Sequence, residues 1–532
     1  MDFPIRSAEH RPGRLQNGPG SPFYKLFKLF KLFKLFKLFK LETSTLNPTP
    51  PELPAKPAAP ALPAAVPLEQ KLADFPSRLS PVLVKELRQG LRTNLFVIAF
   101  ILLQTFMILC LLAGLANPGS NDSNGFFWFF IAATLLIIQP LRGFNALSGE
   151  YQLNTMDLIQ LTRLNGWRIT LGKWTALNAQ GLLFLVGVLP YLVIRYFIGN
   201  VNLVTDIAAL GCVGLASGLL TAITIGCSVF KSIILRGILL FVLAILAVSA
   251  FAAVGNSVFG RYGRAPDATL GIMLAVTAVY GILFFLSFGA SRIAPLSENQ
   301  ATRKRLIAIG FALLFQVFYF FDAEEAVISI TGVILGLACI DALTEPLPVF
   351  GRVCTPFRNN LLLRWPGVFL CPGWISGIFF FIFCSALWWG SAVVYGAVTG
   401  DAFLDQIEDV VVFASMANLI IFPLLIMHLF FARYSSMNHT FGIYLFTQAA
   451  LFGITLMVMA IANALRHWEE IAYLAVPIPS VFIAAGMDGN DVDEPVHLII
   501  VVLIFALCVS FPLLRQFRSV RAFFSALVKS PD

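Results

Sequence analysis

The chain has 532 residues, 58% hydrophobic and 12% charged, with 51 Phe. Soluble domains carry about 45–50% apolar and about 25% charged residues, so a water-soluble fold is excluded and a polytopic membrane protein is expected. The net charge of +8 does not point to nucleic acid, because residues 1–78 hold 12 Lys+Arg against 6 Asp+Glu and so carry +6 of it.

Residues 1–79 read as a low-complexity tail. Residues 1–22 are polar and Pro/Gly-rich, with no apolar core for a secretory signal. Residues 43–78 are Pro/Ala-rich linker. Between them runs "KLFKLFKLFKLFKLFK" (25–40). On an α-helix each residue turns ~100°, so a period of three moves successive Lys by about 60° and spreads the six Lys around the cylinder. No sustained apolar face results, which makes the repeat a poor amphipathic anchor. It reads as an expanded passenger repeat.

Residues 80–94, "SPVLVKELRQGLRTN", begin the structured pattern. Ser80 suits an N-cap and Pro81 a first turn. Val82, Leu83, Leu87 and Leu91 fall near one face, and Lys85, Arg88, Gln89 and Arg92 on the other, with Glu86 beside Lys85. This is an amphipathic connecting helix at the membrane interface.

Twelve apolar spans are expected, at about 95–115, 126–142, 173–198, 203–229, 232–254, 268–290, 306–322, 326–343, 374–398, 410–432, 441–464 and 496–516. Residues 471–486, interrupted by Pro477 and Pro479, read as re-entrant. With a cytoplasmic N-terminus, the loops on the inner side collect nearly all the Lys and Arg, and the outer loops carry only Arg261, Arg264 and Arg466. Both termini are therefore expected in the cytoplasm. Long inner loops at 143–172 and 344–373 recur at matching places, giving an all-α layout of six plus six spans: 95–290, a cytoplasmic linker 291–305, 306–516, and a C-terminal tail 517–532.

The middles of the spans hold no Asp, Glu, Lys or Arg, and His428 is the one ionisable residue well inside a span. An ion-coupled secondary transporter is expected to place charge there. The neutral polar residues Gln104, Asn178, Gln180, Gln316, Asn418, Gln448 and Asn463 suit interhelical hydrogen bonds. A small-residue stripe, Gly214, Gly218, Ala222 and Gly226, suits close helix packing. No C-x-x-C pairs the eight Cys, so no zinc site or disulfide framework is expected. No phosphate loop is present, "GWRITLGKWT" having the wrong spacing, and no hydrolase or metalloprotease motif occurs. Neither a bound cofactor nor enzyme activity is expected of this chain.

Residues 150–173 read "EYQLNTMDLIQLTRLNGWRITLGK". Leu153, Met156, Leu161 and Leu164 recur at helical spacing while Glu150, Asp157 and Arg163 stay polar, with Gly166 placed as a helix stop. Such a helix between two spans suits a groove on a soluble partner. Together with "SPVLVKELRQGLR", this stretch resembles the ABC-2 type transporter permeases over about residues 80–290. The coupling-segment pattern falls on Glu150, Thr155, Asp157, Leu158, Leu161, Thr162, Arg168 and Lys173, with Arg163 where Pro is common. "PGWISG" at 372–377 also looks like larger members of the group.

The resemblance implies a multi-pass plasma-membrane subunit, of the bacterial inner-membrane kind. A separate ABC ATPase would hydrolyse ATP, dock on the coupling helix and drive export, and the two membrane halves would come from one chain or from a homodimer. Two other classes stay open. An ion-coupled secondary transporter is disfavoured by the uncharged span interiors, and the sequence leaves room for a non-transporting membrane assembly factor with a permease fold.

Overall fold

The computed structural model describes residues 81–116, 121–148, 165–198, 202–230, 236–237, 245, 268–294, 298–321, 324–347, 357, 361–399, 407–430, 440–465, 479 and 495–528. The chain divides into two units, Met1–Leu72 and Ala73–Asp532, and every described residue belongs to the second. The described residues form helices and no strand.

The helices are α1 (Pro81–Leu91), α2 (Asn94–Ala116), α3 (Asn121–Ala132), α4 (Gly166–Ile198), α5 (Leu203–Cys227), α6 (Ala268–Ile293) and α7 (Ala301–Phe315). They continue as α8 (Glu324–Leu343), α9 (Leu361–Leu370), α10 (Trp374–Thr399), α11 (Ile407–Phe430), α12 (Thr440–Leu465), α13 (Pro495–Arg515) and α14 (Phe517–Val528).

Among the described residues ten helices are long and apolar enough to cross a membrane, and each coincides with an expected span. The second expected span is a shorter apolar helix, Gly125–Leu141, and the fifth, 232–254, falls almost wholly outside the described residues, as do the tail repeat and the stretch 471–486. The pattern of exposure explains why this is a multi-pass membrane protein. On α2 the buried residues are Phe96, Ala99, Leu103 and Met107, one stripe at helical spacing. The remaining faces are also apolar, with Leu95, Ile98, Ile101, Leu102 and Leu112 exposed. In water such a surface would drive aggregation, whereas hydrocarbon solvates it.

Packing does not respect an even division into halves. Met273, Tyr280 and Phe284 of α6 belong to the large core cluster built by α7–α11, α13 and α14. The same helix supplies Ile282, Leu286 and Ile293 to a cluster with α4 and α5. Thus α6 is shared by both halves.

The small-residue stripe on α5 does pack closely, against two neighbours. A Cβ at Gly226 would lie 2.7 Å from the Phe285 carbonyl on α6, while Gly218 faces Asn178 and Trp174 on α4. Trp174 Nε1 donates to the Gly218 carbonyl at 2.9 Å.

Several boundaries differ from expectation. The end of α3 passes through a π-helical turn, Ala133–Ile138, whose Leu135 carbonyl accepts from Ser217 Oγ at 2.6 Å. A wide turn leaves a carbonyl in need of a partner, and the neighbouring helix supplies one. Helix α7 begins at Ala301, inside the expected 291–305 linker, and ends in a 3₁₀ stretch, Gln316–Phe321. The expected loop 344–373 and tail 517–532 each contain an amphipathic helix, α9 and α14, packed on each other.

Candidate functional site

The segment expected to couple to a partner, with Glu150, Thr155, Asp157, Leu158, Leu161 and Thr162, lies outside the described residues. Its two roots are described, and both are held by α1.

The incoming root is the turn after α3. Arg142 Nη2 donates to the Gly90 carbonyl at 3.0 Å, at the end of α1, and its guanidinium lies 5.4 Å from the Phe96 ring centroid. Gly90 stands where α1 approaches α4: a Cβ there would meet Gln180 Nε2 at 2.1 Å. Thr93 Oγ1 donates to the same Gly90 carbonyl at 2.7 Å, closing α1 before α2 begins. This break separates the connecting helix from the first span.

Deeper in that root, Arg236 is buried and donates through Nη1 to Asn145 Oδ1 and Ser148 Oγ, each at 2.9 Å, and to the Phe144 carbonyl at 3.2 Å. The Leu147 amide donates to Ser228 Oγ at 3.0 Å. Arg236, at the start of the expected fifth span, is therefore a staple on residues 144–148.

The outgoing root is the start of α4. Gly166, expected as the stop of the coupling helix, opens α4 instead. The Asn165 carbonyl accepts from the Arg168 and Ile169 amides at 2.9 and 3.3 Å. A Cβ at Gly166 would lie 2.7 Å from the Ala290 carbonyl, so close approach to α6 is what demands glycine. The segment "WRITLGKW" is thus already helical and continuous with the third span, because its Ile169, Thr170 and Lys173 are buried against neighbours.

Of the sequence-selected residues, Lys173 and Glu86 come together. Lys173 Nζ donates to Glu86 Oε1 at 2.8 Å, with side-chain exposures of 7% and 24%. Lys85, Arg92 and Arg168 are exposed, and Arg88 is half-buried. Helix α1 therefore braces both roots: Gly90 holds the incoming one and Glu86 the outgoing one.

A second feature escaped the sequence. Lys304 and Arg305, expected within the cytoplasmic linker 291–305, are buried at the end of the bundle. Lys304 Nζ donates to Glu345 Oε1 at 2.8 Å, to the Asp341 carboxylate and to Ser291 Oγ at 3.3 Å. Arg305 Nη2 donates to Glu345 Oε2 at 2.8 Å. Its Nη1 donates to Ser376 Oγ and the Phe369 and Cys371 carbonyls, each at 2.7 Å. Arg292 Nη2 lies 3.8 Å from Asp341 Oδ1.

The turn that receives Arg305 needs its glycines. Gly373 adopts φ 114°, in the left-handed region, and a Cβ at Gly377 would lie 2.2 Å from the Ala342 carbonyl. Burial works against charge on Glu345, yet Lys304 and Arg305 beside it hold its carboxyl pKa at about 2.

The next residue along, Arg303, stacks its guanidinium 3.9 Å from the Trp167 ring centroid. Trp167 sits one residue into α4, so the outgoing root of segment 150–164 touches the residue adjoining the buried ionic cluster. The signal available in the sequence was "IDALTE", two carboxylates four apart at the end of an apolar span, read together with "RKR" at 303–305.

Among the described residues no group of His, Cys, Asp or Glu is arranged to hold a metal ion, and seven of the cysteines are free thiols. Compared with protein-family models, curated proteins and solved structures, the chain matches none, so the geometry of this face carries the functional argument.

Proposed function

We propose that the chain is the membrane-spanning permease subunit of an ABC transporter of the ABC-2 type, with twelve spans in a six-plus-six layout and both termini in the cytoplasm. It exports its substrate using ATP hydrolysed by a separate ATPase subunit docked on residues 150–164. The chain itself performs no covalent chemistry.

The observation that carries this reading is the brace. Helix α1 accepts Arg142 at one root of the coupling segment and pairs Glu86 with Lys173 at the other. A segment held at both roots transmits a push from a partner into α3 and α4 as a rigid lever rather than absorbing it. The Arg303–Trp167 stack supports a continuation of that push into α7, α8 and α10.

The test is affinity purification from native membranes, scoring co-purified vanadate-sensitive ATPase, with Asp157→Arg as the perturbation. Loss of the ATPase with retention of the folded chain is expected. Undiminished ATPase association and undiminished transport would sink the reading.

The buried Lys304, Arg305, Asp341 and Glu345 cluster is the observation that favours ion-coupled transport instead. It lies at the bundle end, with Lys304 and Arg305 bound directly to the carboxylates. Export driven by an ion gradient with no ATPase present would establish that alternative.

A further inference from the structure

Two segments far apart in the chain, 346–400 and 495–531, contain no Asp or Glu, while together they hold Arg352, Arg358, Arg364, Arg515, Arg518, Arg521 and Lys529. The structure packs their amphipathic helices, α9 and α14, against each other. Gly367 is the meeting point: a Cβ there would lie 3.3 Å from Leu527 Cδ2 and 2.8 Å from Phe357 Cβ. The inner face of α14 is seated on the bundle through Phe523 and Leu527, both buried, and through Phe524, whose ring lies 5.9 Å from that of Phe379 on α10.

The outer face is different in kind. Arg518 and Arg521 are exposed, and beside them in the chain Leu514 and Phe517 are 70% and 60% exposed. On α9, Trp365 is 82% exposed, next to Arg364. Arg515 is engaged with the His428 and Leu429 carbonyls at the end of α11, so this platform lies at the bundle end where α11 and α13 finish. Arg305 donates to the Phe369 carbonyl of α9, which places the platform beside the buried ionic cluster.

We propose that α9 and α14 form a seat for anionic phospholipid headgroups at the edge of the bilayer. Trp365 and Phe517 enter the headgroup–acyl boundary, and Arg518 and Arg521 contact the phosphates. The chemistry is complementary in both parts. Aromatic side chains partition to the interface, and guanidinium groups on segments that hold no Asp or Glu attract an anionic leaflet. A purely positive-inside bias requires only basic loops; it does not require a Trp and a Phe standing exposed beside them.

The test uses the full chain purified in a neutral detergent, without any ATPase, so it stands or falls separately from the permease reading. The thermal midpoint is followed by fluorescence-detected size exclusion while phosphatidylglycerol or phosphatidylcholine is added, and native mass spectrometry counts retained lipids. Phosphatidylglycerol is expected to raise the midpoint and phosphatidylcholine to leave it. Arg518→Gln/Arg521→Gln should weaken the apparent affinity for phosphatidylglycerol about tenfold or more, Trp365→Ala should weaken it too, and Arg518→Lys/Arg521→Lys should retain it.

Equal response to both lipids would overturn the proposal, as would an unchanged response of the double Gln variant. Equal protection by inorganic phosphate or glycerol phosphate would also overturn it, by assigning a soluble-anion site instead.

Discussion

Glu345→Gln should be among the most damaging single substitutions in the described part of the chain. The carboxylate accepts from Lys304 and from Arg305, each at 2.8 Å, and from the Gly373 amide at 3.4 Å. The side chains of Lys304 and Arg305 are 3% and 2% exposed. Glutamine keeps the volume but leaves Arg292, Lys304 and Arg305 facing Asp341 alone. Removing one partner of a buried pair costs ~3–5 kcal/mol, because an uncompensated charge stays behind.

At ~1.4 kcal/mol per tenfold, the unfolding equilibrium shifts from roughly a hundredfold to a few thousandfold. Equilibrium unfolding in mixed micelles with rising dodecyl sulfate, followed by tryptophan fluorescence, reads this directly. Lys304→Met in the Glu345→Gln background should cost less than the two single changes added, because it removes one of the stranded cations.

The pH dependence follows from the same site. Its carboxyl is depressed from the ordinary value of 4.5 to about 2. The stabilisation is therefore complete above pH 4.5 and is lost as pH falls toward 2. The wild-type midpoint should drop across that window by a component that Glu345→Gln lacks. A loss below ~1 kcal/mol for Glu345→Gln would refute the claim that the cluster is buried and coupled as described.

Charge exchange tests the brace. Glu86→Lys should cost about 1–3 kcal/mol, the pair being only partly buried, and Glu86→Lys/Lys173→Glu should restore most of it in the same unfolding assay. Gly377→Ala should cost at least the upper end of the ~1–3 kcal/mol of an overpacked contact, since its new Cβ meets backbone rather than a movable side chain; a normal melting curve would contradict the close α8–α10 approach. Arg303→Gln should remove a cation–π contact of about 0.5–1 kcal/mol, Arg303 being exposed, visible as a lowered thermal midpoint that Trp167→Leu reproduces without adding to it.

Composition and apolar run length by themselves determined the class of molecule and where its helices lie. Ten expected spans coincide with apolar helices to within a few residues at most ends, because hydrocarbon solvation depends on local sequence alone. The α5 stripe was legible for the same reason: small residues at spacing four share one face.

Charges at the span ends were not legible, because the sequence gives their sign and not their surroundings. The sequence places Lys304, Arg305 and Arg236 only near span ends, yet each is buried among partners 13 to 92 positions away. Glu86 and Lys173 were both selected, 87 positions apart, but nothing local joined them. Gly166 looked like a helix stop, since a glycine needed for close approach carries the same letter as one needed for a turn. Long-range packing decided these matters: a buried charge is tolerated only where the fold brings its counter-charge and hydrogen-bond partners to it.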